Sequence, residues 1–272
     1  MTSLGDALVL ATGATIPVLG FGTWQILDGA AAYDATAVAL RAGYRHIDSA
    51  RDYGNEASVG RAVRDSGVPR GEVFVTSKLP AEIKDHDKVQ ASFEETMHLL
   101  ALDYVDLYLI HAPWPWNEIG KDCAAQNKQV WTQMEAIHAS GRARAIGVSN
   151  FSVADLHAIL DGCAVVPMVN QIRWFVGHTQ PDVVAFCKQH GIVVEAYSPL
   201  ATGRILDDAR LAAVAARYGK SVAQVCIRYA LQHGLVALPK STHPARIVEN
   251  GDVDFLIGED DMALLDAIDG AR

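Results

Sequence analysis

The chain is poor in cysteine and has none at metal-type spacing. Cys123, Cys163, Cys187 and Cys226 lie far apart in the 272 residues, and no CxxC pair occurs. That pattern argues against a disulfide framework or a cysteine-based metal site and reads as reduced structural thiols. Long apolar runs are also missing. None approaches the roughly 20 residues that cross a bilayer. The start, MTSLGDALVLATG, lacks the basic residues and long apolar stretch of a signal peptide. The expected location is cytoplasmic, with no membrane partner. Positive charge is in deficit, with 23 Lys and Arg against 32 Asp and Glu and a net charge of −9. Nucleic acid is therefore not expected as a partner, although a local basic pocket for a phosphate remains compatible. No linker or low-complexity segment divides the chain, so residues 1–272 read as a single domain. The segment LGFGTWQ (19–25) carries two glycines of a G-x-G-x-x-G turn but no third in place, which makes a doubly wound dinucleotide fold the second choice.

What is present is a large apolar share, 50%, arranged in alternating strand-like and helix-like segments. A short hairpin is predicted over 8–17, turning at Gly13. Strands follow at 16–22, 44–48, 73–78, 105–111, 143–149, 167–172, 192–198 and 235–241. Helices are expected over about 29–42, 55–66, 86–100, 152–161, 181–191, 207–218, 221–233 and 260–268. A further helix is marked by Val130, Met134 and Ile137. Eight strand–helix pairs spaced about 30 residues apart predict an α/β fold, a (β/α)8 TIM barrel with a short N-terminal β-hairpin.

Catalytic groups collect where barrel strands end. Asp48, Lys78 and His111 each close an apolar strand, and Tyr53 follows shortly after Asp48. A phenol can act as an acid if a neighbouring ammonium lowers its pKa from about 10. Lys78 can supply that charge, Asp48 can hold Lys78, and His111 can orient a carbonyl oxygen or relay a proton. Each group alone also reads as a structural residue. Together they are complementary. A second cluster, Lys240, Ser241 and Thr242, precedes Pro244, a favoured first helical residue, with Arg246 in the first turn. This is a predicted phosphate site at a helix N-terminus. Tyr197 offers a face for an aromatic ring, and Ser149, Asn150 and Gln171 offer groups suited to a carboxamide. A metal-dependent hydrolase is the rival reading, from His46-x-Asp48, but Lys78 is a poor neighbour for a cation. No metal is expected.

These residues resemble the aldo-keto reductase family over essentially the whole chain. The matching stretches are LGFGTW (19–24), GYRHIDSARDYGNEASVGRAV (43–63), VFVTSKL (73–79), DLYLIHAP (106–113), GVSNF (147–151), NQI (170–172), AYSPL (196–200) and LPKSTHPARIVEN (238–250). Within the family the chain is similar to compact bacterial members of the 2,5-diketo-D-gluconate reductase and glyoxal reductase type. The resemblance implies a catalytic tetrad of Asp48, Tyr53, Lys78 and His111, with Tyr53 protonating a carbonyl oxygen and NADPH delivering hydride. It implies cofactor contacts at Gly22, Thr23, Trp24, Asp48, Ser149, Asn150, Gln171, Tyr197, Ser198, Leu200, Lys240, Ser241, Thr242, Arg246, Glu249 and Asn250. Paired basic groups for a 2′-phosphate favour NADPH over NADH. Trp24, Tyr53, His111 and Trp114 are expected around a small carbonyl substrate, with Trp116 a further wall. Small aldehydes, α-dicarbonyls or keto-sugars are the expected substrates, and a monomer the expected state. An NADPH-binding regulatory subunit on the same barrel is the alternative. The chain departs from the family pattern at IDSA (47–50), at Ala112 and at RWFVGHTQ (173–180). Its short loop ATGRILDD (201–208) and early C-terminus imply an open substrate pocket.

Overall fold

The computed structural model describes residues 3–270. The chain opens with a hairpin of β1 (Ala7–Val9) and β2 (Thr15–Pro17), antiparallel, with Gly13 in the left-handed conformation at φ 80. Eight parallel strands then form the barrel: β3 (Phe21–Gly22), β4 (His46–Asp48), β5 (Phe74–Leu79), β6 (Val105–Ile110), β7 (Ala143–Ser149), β8 (Val169–Arg173), β9 (Val193–Tyr197) and β10 (Val236–Leu238). Closure is made by a parallel bridge from Leu19 to Ala237, with Gly20 N donating to Ala237 O at 2.9 Å. The fold is a (β/α)8 TIM barrel with the expected hairpin in front.

The predicted strand 16–22 is two pieces. Thr15–Pro17 belongs to the hairpin, and Phe21–Gly22, with the Leu19 bridge before it, joins the barrel. Val18 divides them. Its N–H donates to Asp6 O and its carbonyl accepts from Ala237 N, both at 2.9 Å, so it serves the hairpin on one side and the barrel on the other. The apolar run shows no break at such a point because Ile16, Val18, Leu19 and Phe21 are buried on both sides of it.

The helices are α1 (Ala30–Arg41), α2 (Glu56–Asp65), α3 (Val89–Leu100), α4 (Ala124–Ala139), α5 (Val153–Leu160), α6 (Pro181–Gln189), α7 (Ala209–Tyr218), α8 (Val222–Gln232), α9 (Pro244–Gly251) and α10 (Glu259–Asp266). Their starts follow local chemistry. Ser152 with Asp155 and Ser221 with Gln224 form capping boxes at α5 and α8. Pro181 and Pro244 open α6 and α9, where a missing N–H costs nothing. Strands β5 and β6 are buried along their full length, as a sheet covered on both faces requires.

Polar side chains occupy layers inside the barrel. His46 and Asp48 share one face of β4, and Thr76 and Lys78 one face of β5. The lower layer joins His46 Nε2 to Thr76 Oγ1 at 3.1 Å, with Glu195 Oε1 3.6 Å from the same nitrogen. All three residues are fully buried. Burial first, and the Asp48 charge next, raise the Glu195 carboxyl to about 8. Burial also lowers His46 to about 4. This layer is therefore uncharged in neutral solution, as a dry interior demands.

Two predictions concern the fold. A Cβ on Gly60 of α2 would lie 2.1 Å from the Leu100 carbonyl oxygen at the end of α3, a backbone atom with little room to yield. Gly60→Ala is expected to destabilise the protein by about 1–3 kcal/mol, and an unchanged urea midpoint would refute the tight contact. Glu195 holds its proton in the folded protein up to a pKa of about 8, whereas an unfolded glutamate loses it near a model value of 4.5. Between those limits the folded state binds the extra proton, so this group makes stability fall by about 1.4 kcal/mol for each pH unit raised. Glu195→Gln removes the effect. Its stability advantage over the parent in urea titrations should therefore widen from pH 5 to pH 8, and parallel curves would contradict the buried neutral carboxyl.

Candidate active site

A cavity of about 1240 Å³ lies over the C-terminal ends of the barrel strands. Asp48 ends β4 at its floor. Lys78, fully buried on β5 and outside the lining, donates to both Asp48 carboxylate oxygens and to Ser49 O, each at 2.8 Å. These three acceptors match the three ammonium donors. Tyr53 closes a 3₁₀ turn, Arg51–Tyr53, and Gly54 ends it at φ 67. Buried Asn55 pins the turn, donating to Thr23 O and Ile26 O at 2.9 Å and accepting from Ser49 Oγ at 2.9 Å. The Tyr53 ring centre lies 4.9 Å from Lys78 Nζ and 5.5 Å from the His111 ring centre. His111 stands one residue beyond β6. The structure thus brings Asp48, Tyr53, Lys78 and His111 together.

The proton affinity of Tyr53 runs against the sequence expectation. Burial first, then the charge of Asp48 and the other acidic groups around it, hold the phenol well above its usual range. Lys78 does not invert this, because its donors are spent on Asp48 and Ser49 and the pair is neutral as a whole. A phenol so held keeps its proton until an oxygen in front of it gains negative charge.

Beside this cluster, Gln171 Nε2 donates to Asp48 Oδ2 at 2.9 Å and to Glu195 Oε2 at 2.8 Å. Both amide protons are used, and Oε1 has no protein partner among the described residues. Ser149 Oγ donates to Gln171 O at 2.8 Å. Asn150, left-handed at φ 63, donates to His111 O and Ser149 Oγ at 3.0 Å and accepts from Tyr197 OH at 2.8 Å. Tyr197 therefore has its hydroxyl tied while it lines the cavity.

Gly22, Trp24, Ser198 and Leu200 line the cavity, as do Lys240, Ser241, Arg246, Glu249 and Asn250 at its far end. There His243 caps α9, and Ser241 Oγ accepts from His243 N at 3.0 Å. Lys240 and Arg246 are exposed, and neither pairs with a carboxylate among the described residues. Besides buried Lys78, three sequence-predicted residues stand apart from the lining. Thr23 is fully buried, with Oγ1 donating to Asp48 O at 3.0 Å. Thr242 lies in the turn before α9, exposed and outside the lining, and Trp114 packs edge-on to Trp116 with ring centres 5.2 Å apart. Trp116 takes the place on the wall.

Sequence reasoning missed Asp52, Asn55, Glu195 and the cavity-lining Arg173 and Arg204. Asp52 Oδ2 lies 2.9 Å from His111 Nδ1. Its only signal was adjacency to Tyr53, since the turn that aims it at a residue 59 positions away leaves no periodic trace.

Residues 18–270 match the model of the aldo/keto reductase family. Glyoxal reductase of Bacillus subtilis is 42% identical over 268 residues, 98% of this chain and 94% of the relative. A 9,11-endoperoxide prostaglandin H2 reductase of Trypanosoma cruzi is 41% identical, covering 97% of this chain and 91% of its own. An aldehyde reductase of Saccharomyces cerevisiae is 40% identical, covering 93% and 88%. The crystal structure of an aldo/keto reductase from Brucella melitensis superposes with a TM-score of 0.89 at 38% identity, over 96% of this chain and 98% of that one. A family match over nearly the full length and reductase relatives in both sequence and structure lead to one conclusion: the chain belongs to the aldo-keto reductase family.

Proposed function

We propose that the protein reduces the carbonyl group of small aldehydes, α-dicarbonyls or keto-sugars to an alcohol with NADPH, and that Tyr53 is the general acid. The observation that carries the reading is the pairing of two ends in one cavity. A proton-holding phenol, a neutralised Lys78–Asp48 pair and an imidazole meet at one end, and two cations with no carboxylate partner among the described residues flank a helix N-terminus at the other. The residues suit the dinucleotide. Gln171 Oε1 is free to accept from a carboxamide N–H, and Tyr197 offers a ring face with its hydroxyl already anchored. Lys240 and Arg246 supply the charge that a 2′-phosphate requires. When bound, the nicotinamide supplies a hydride to the carbonyl carbon. Tyr53 gives its proton to the carbonyl oxygen as charge develops there, and Lys78 with Asp48 keeps the resulting phenolate in place. His111 holds the same oxygen. The substrate class draws support from the glyoxal and aldehyde reductase relatives.

Tyr53→Phe should lower kcat roughly 10²- to 10⁴-fold while the NADPH dissociation constant, read by fluorescence, stays within a small factor. Full turnover of this variant on a carbonyl panel would end the assignment, and NADPH binding without turnover by the parent would point to a regulatory subunit. Lys240→Met and Arg246→Ala should each weaken NADPH roughly tenfold, about 1.4 kcal/mol, with little effect on NADH. Equal losses for both cofactors would remove the 2′-phosphate from this site.

A further inference from the structure

One acidic group on the cavity wall has no part in the roles above. Asp52 sits one residue before Tyr53 in the 3₁₀ turn, with its side chain 23% exposed. His111 Nδ1 lies 2.9 Å from its Oδ2, and Trp116 Nε1 donates to the same oxygen at 3.2 Å. Ring packing fixes the arrangement, since the His111 and Trp116 centres are 5.2 Å apart and their planes nearly perpendicular. An ionised carboxylate oxygen can only accept, and an indole N–H can only donate. His111 must therefore carry its proton on Nδ1. In the neutral ring Nε2 is then bare and can only accept, whereas in the imidazolium Nε2 donates.

We infer that Asp52 is a positioning residue that fixes His111 with Nδ1 protonated, so that His111 serves the substrate carbonyl oxygen as an imidazolium donor through Nε2. This rests on the proposed carbonyl reduction at Tyr53. The proton account is simple: Tyr53 transfers its proton to the oxygen, and His111 keeps both of its own. The charged and titratable groups facing His111 are Asp52 and Tyr53 from the turn, Asp48 from β4 and Lys78 from β5. Burial lowers the imidazole below its usual range, and the Asp52 hydrogen bond recovers part of that loss. Burial works against the Asp52 charge, but the His111 and Trp116 donors outweigh it and hold the carboxyl below its usual range. Asp52 thus stays ionised while the imidazolium share of His111 shrinks with rising pH. Reductase kcat/KM should fall along with that share.

The test has two arms on the full-length protein. In ¹⁵N-histidine-labelled protein, two-bond correlation spectra follow His111, identified among the 10 histidines by its loss in His111→Gln. Once neutral, the ring should show a protonated Nδ1 and a bare Nε2. A neutral ring protonated at Nε2 would overturn the inference whether or not the protein turns over any carbonyl, which separates this outcome from failure of the Tyr53 assignment. In the second arm, Asp52→Asn keeps an acceptor for Nδ1–H but removes the charge. The alkaline fall of kcat/KM should move to lower pH by about one pH unit or more, with kcat reduced more than KM is raised, and Asp52→Glu should restore part of the shift. An unmoved pH profile would also refute it.

Discussion

The buried ion pair between Lys78 and Asp48 is the constraint on which the mouth of the barrel depends. Lys78 is fully buried and the Asp48 side chain 5% exposed. Two such charges lose their hydration on folding, and only close geometry with every donor matched offsets that loss. Here the ammonium meets both carboxylate oxygens and the Ser49 carbonyl, and the carboxylate takes a further bond from Gln171. Removing either partner would leave a stranded charge, a loss of about 3–5 kcal/mol. The pair therefore fixes the ends of β4, β5 and β8 relative to one another before any ligand arrives. It also fixes the electrostatics. A neutral pair cannot act on Tyr53 as a free ammonium would, so burial and the surrounding carboxylates decide that the phenol stays protonated.

The same logic explains which parts of the molecule were legible in the sequence. The barrel was, because each strand is an apolar run ended by a polar residue and each helix carries its own period. The meeting of Asp48, Tyr53, Lys78 and His111 was, because three of them sit at or next to those ends. Contacts that depend on the path of a turn were hidden. The aim of Asp52 at His111 and the choice of Trp116 over Trp114 as the wall follow from short 3₁₀ turns whose course no spacing rule reports. Thr23 looked like a ligand contact because it lies beside Gly22 and Trp24. Its small hydroxyl instead closes a backbone bond to Asp48, behind the cavity. The direction of the Tyr53 shift was hidden for another reason. A sequence shows that a lysine is near, but not that its charge is already matched.

Rigidity on the far side of the site comes from the backbone. Asn150, Ser198, Ala201 and Thr202 all adopt left-handed conformations, which cost non-glycine residues free energy and persist only when their surroundings impose them. They stand in the loops after β7 and β9, along the stretch that links the tetrad to the start of α8. Asn150 shows the compensation: its amide bonds to His111 O, Ser149 Oγ and the Tyr197 hydroxyl. One strained residue thus ties β6, β7 and β9 together and sets the Tyr197 ring against the cavity.

Beneath the tetrad, the interior carries little net charge. Lys78 and Asp48 cancel, Glu195 keeps its proton below about 8, and burial keeps His46 neutral. The field at the mouth is then set by charged groups on the cavity lining that remain unmatched or only partly matched, among them Asp52 beside His111, Arg173 and Arg204 on the wall, and Lys240 and Arg246 with Glu249 at the other end. The protein is acidic overall, with a net charge of −9, so the far end is a local exception that favours an anion, while the other end sets the Asp52 carboxylate beside the imidazole and a neutral phenol. A cavity polarised in this way fits the proposed dinucleotide, with its phosphates at one end and an uncharged reacting group at the other. Such polarity is available only because the barrel interior has been neutralised.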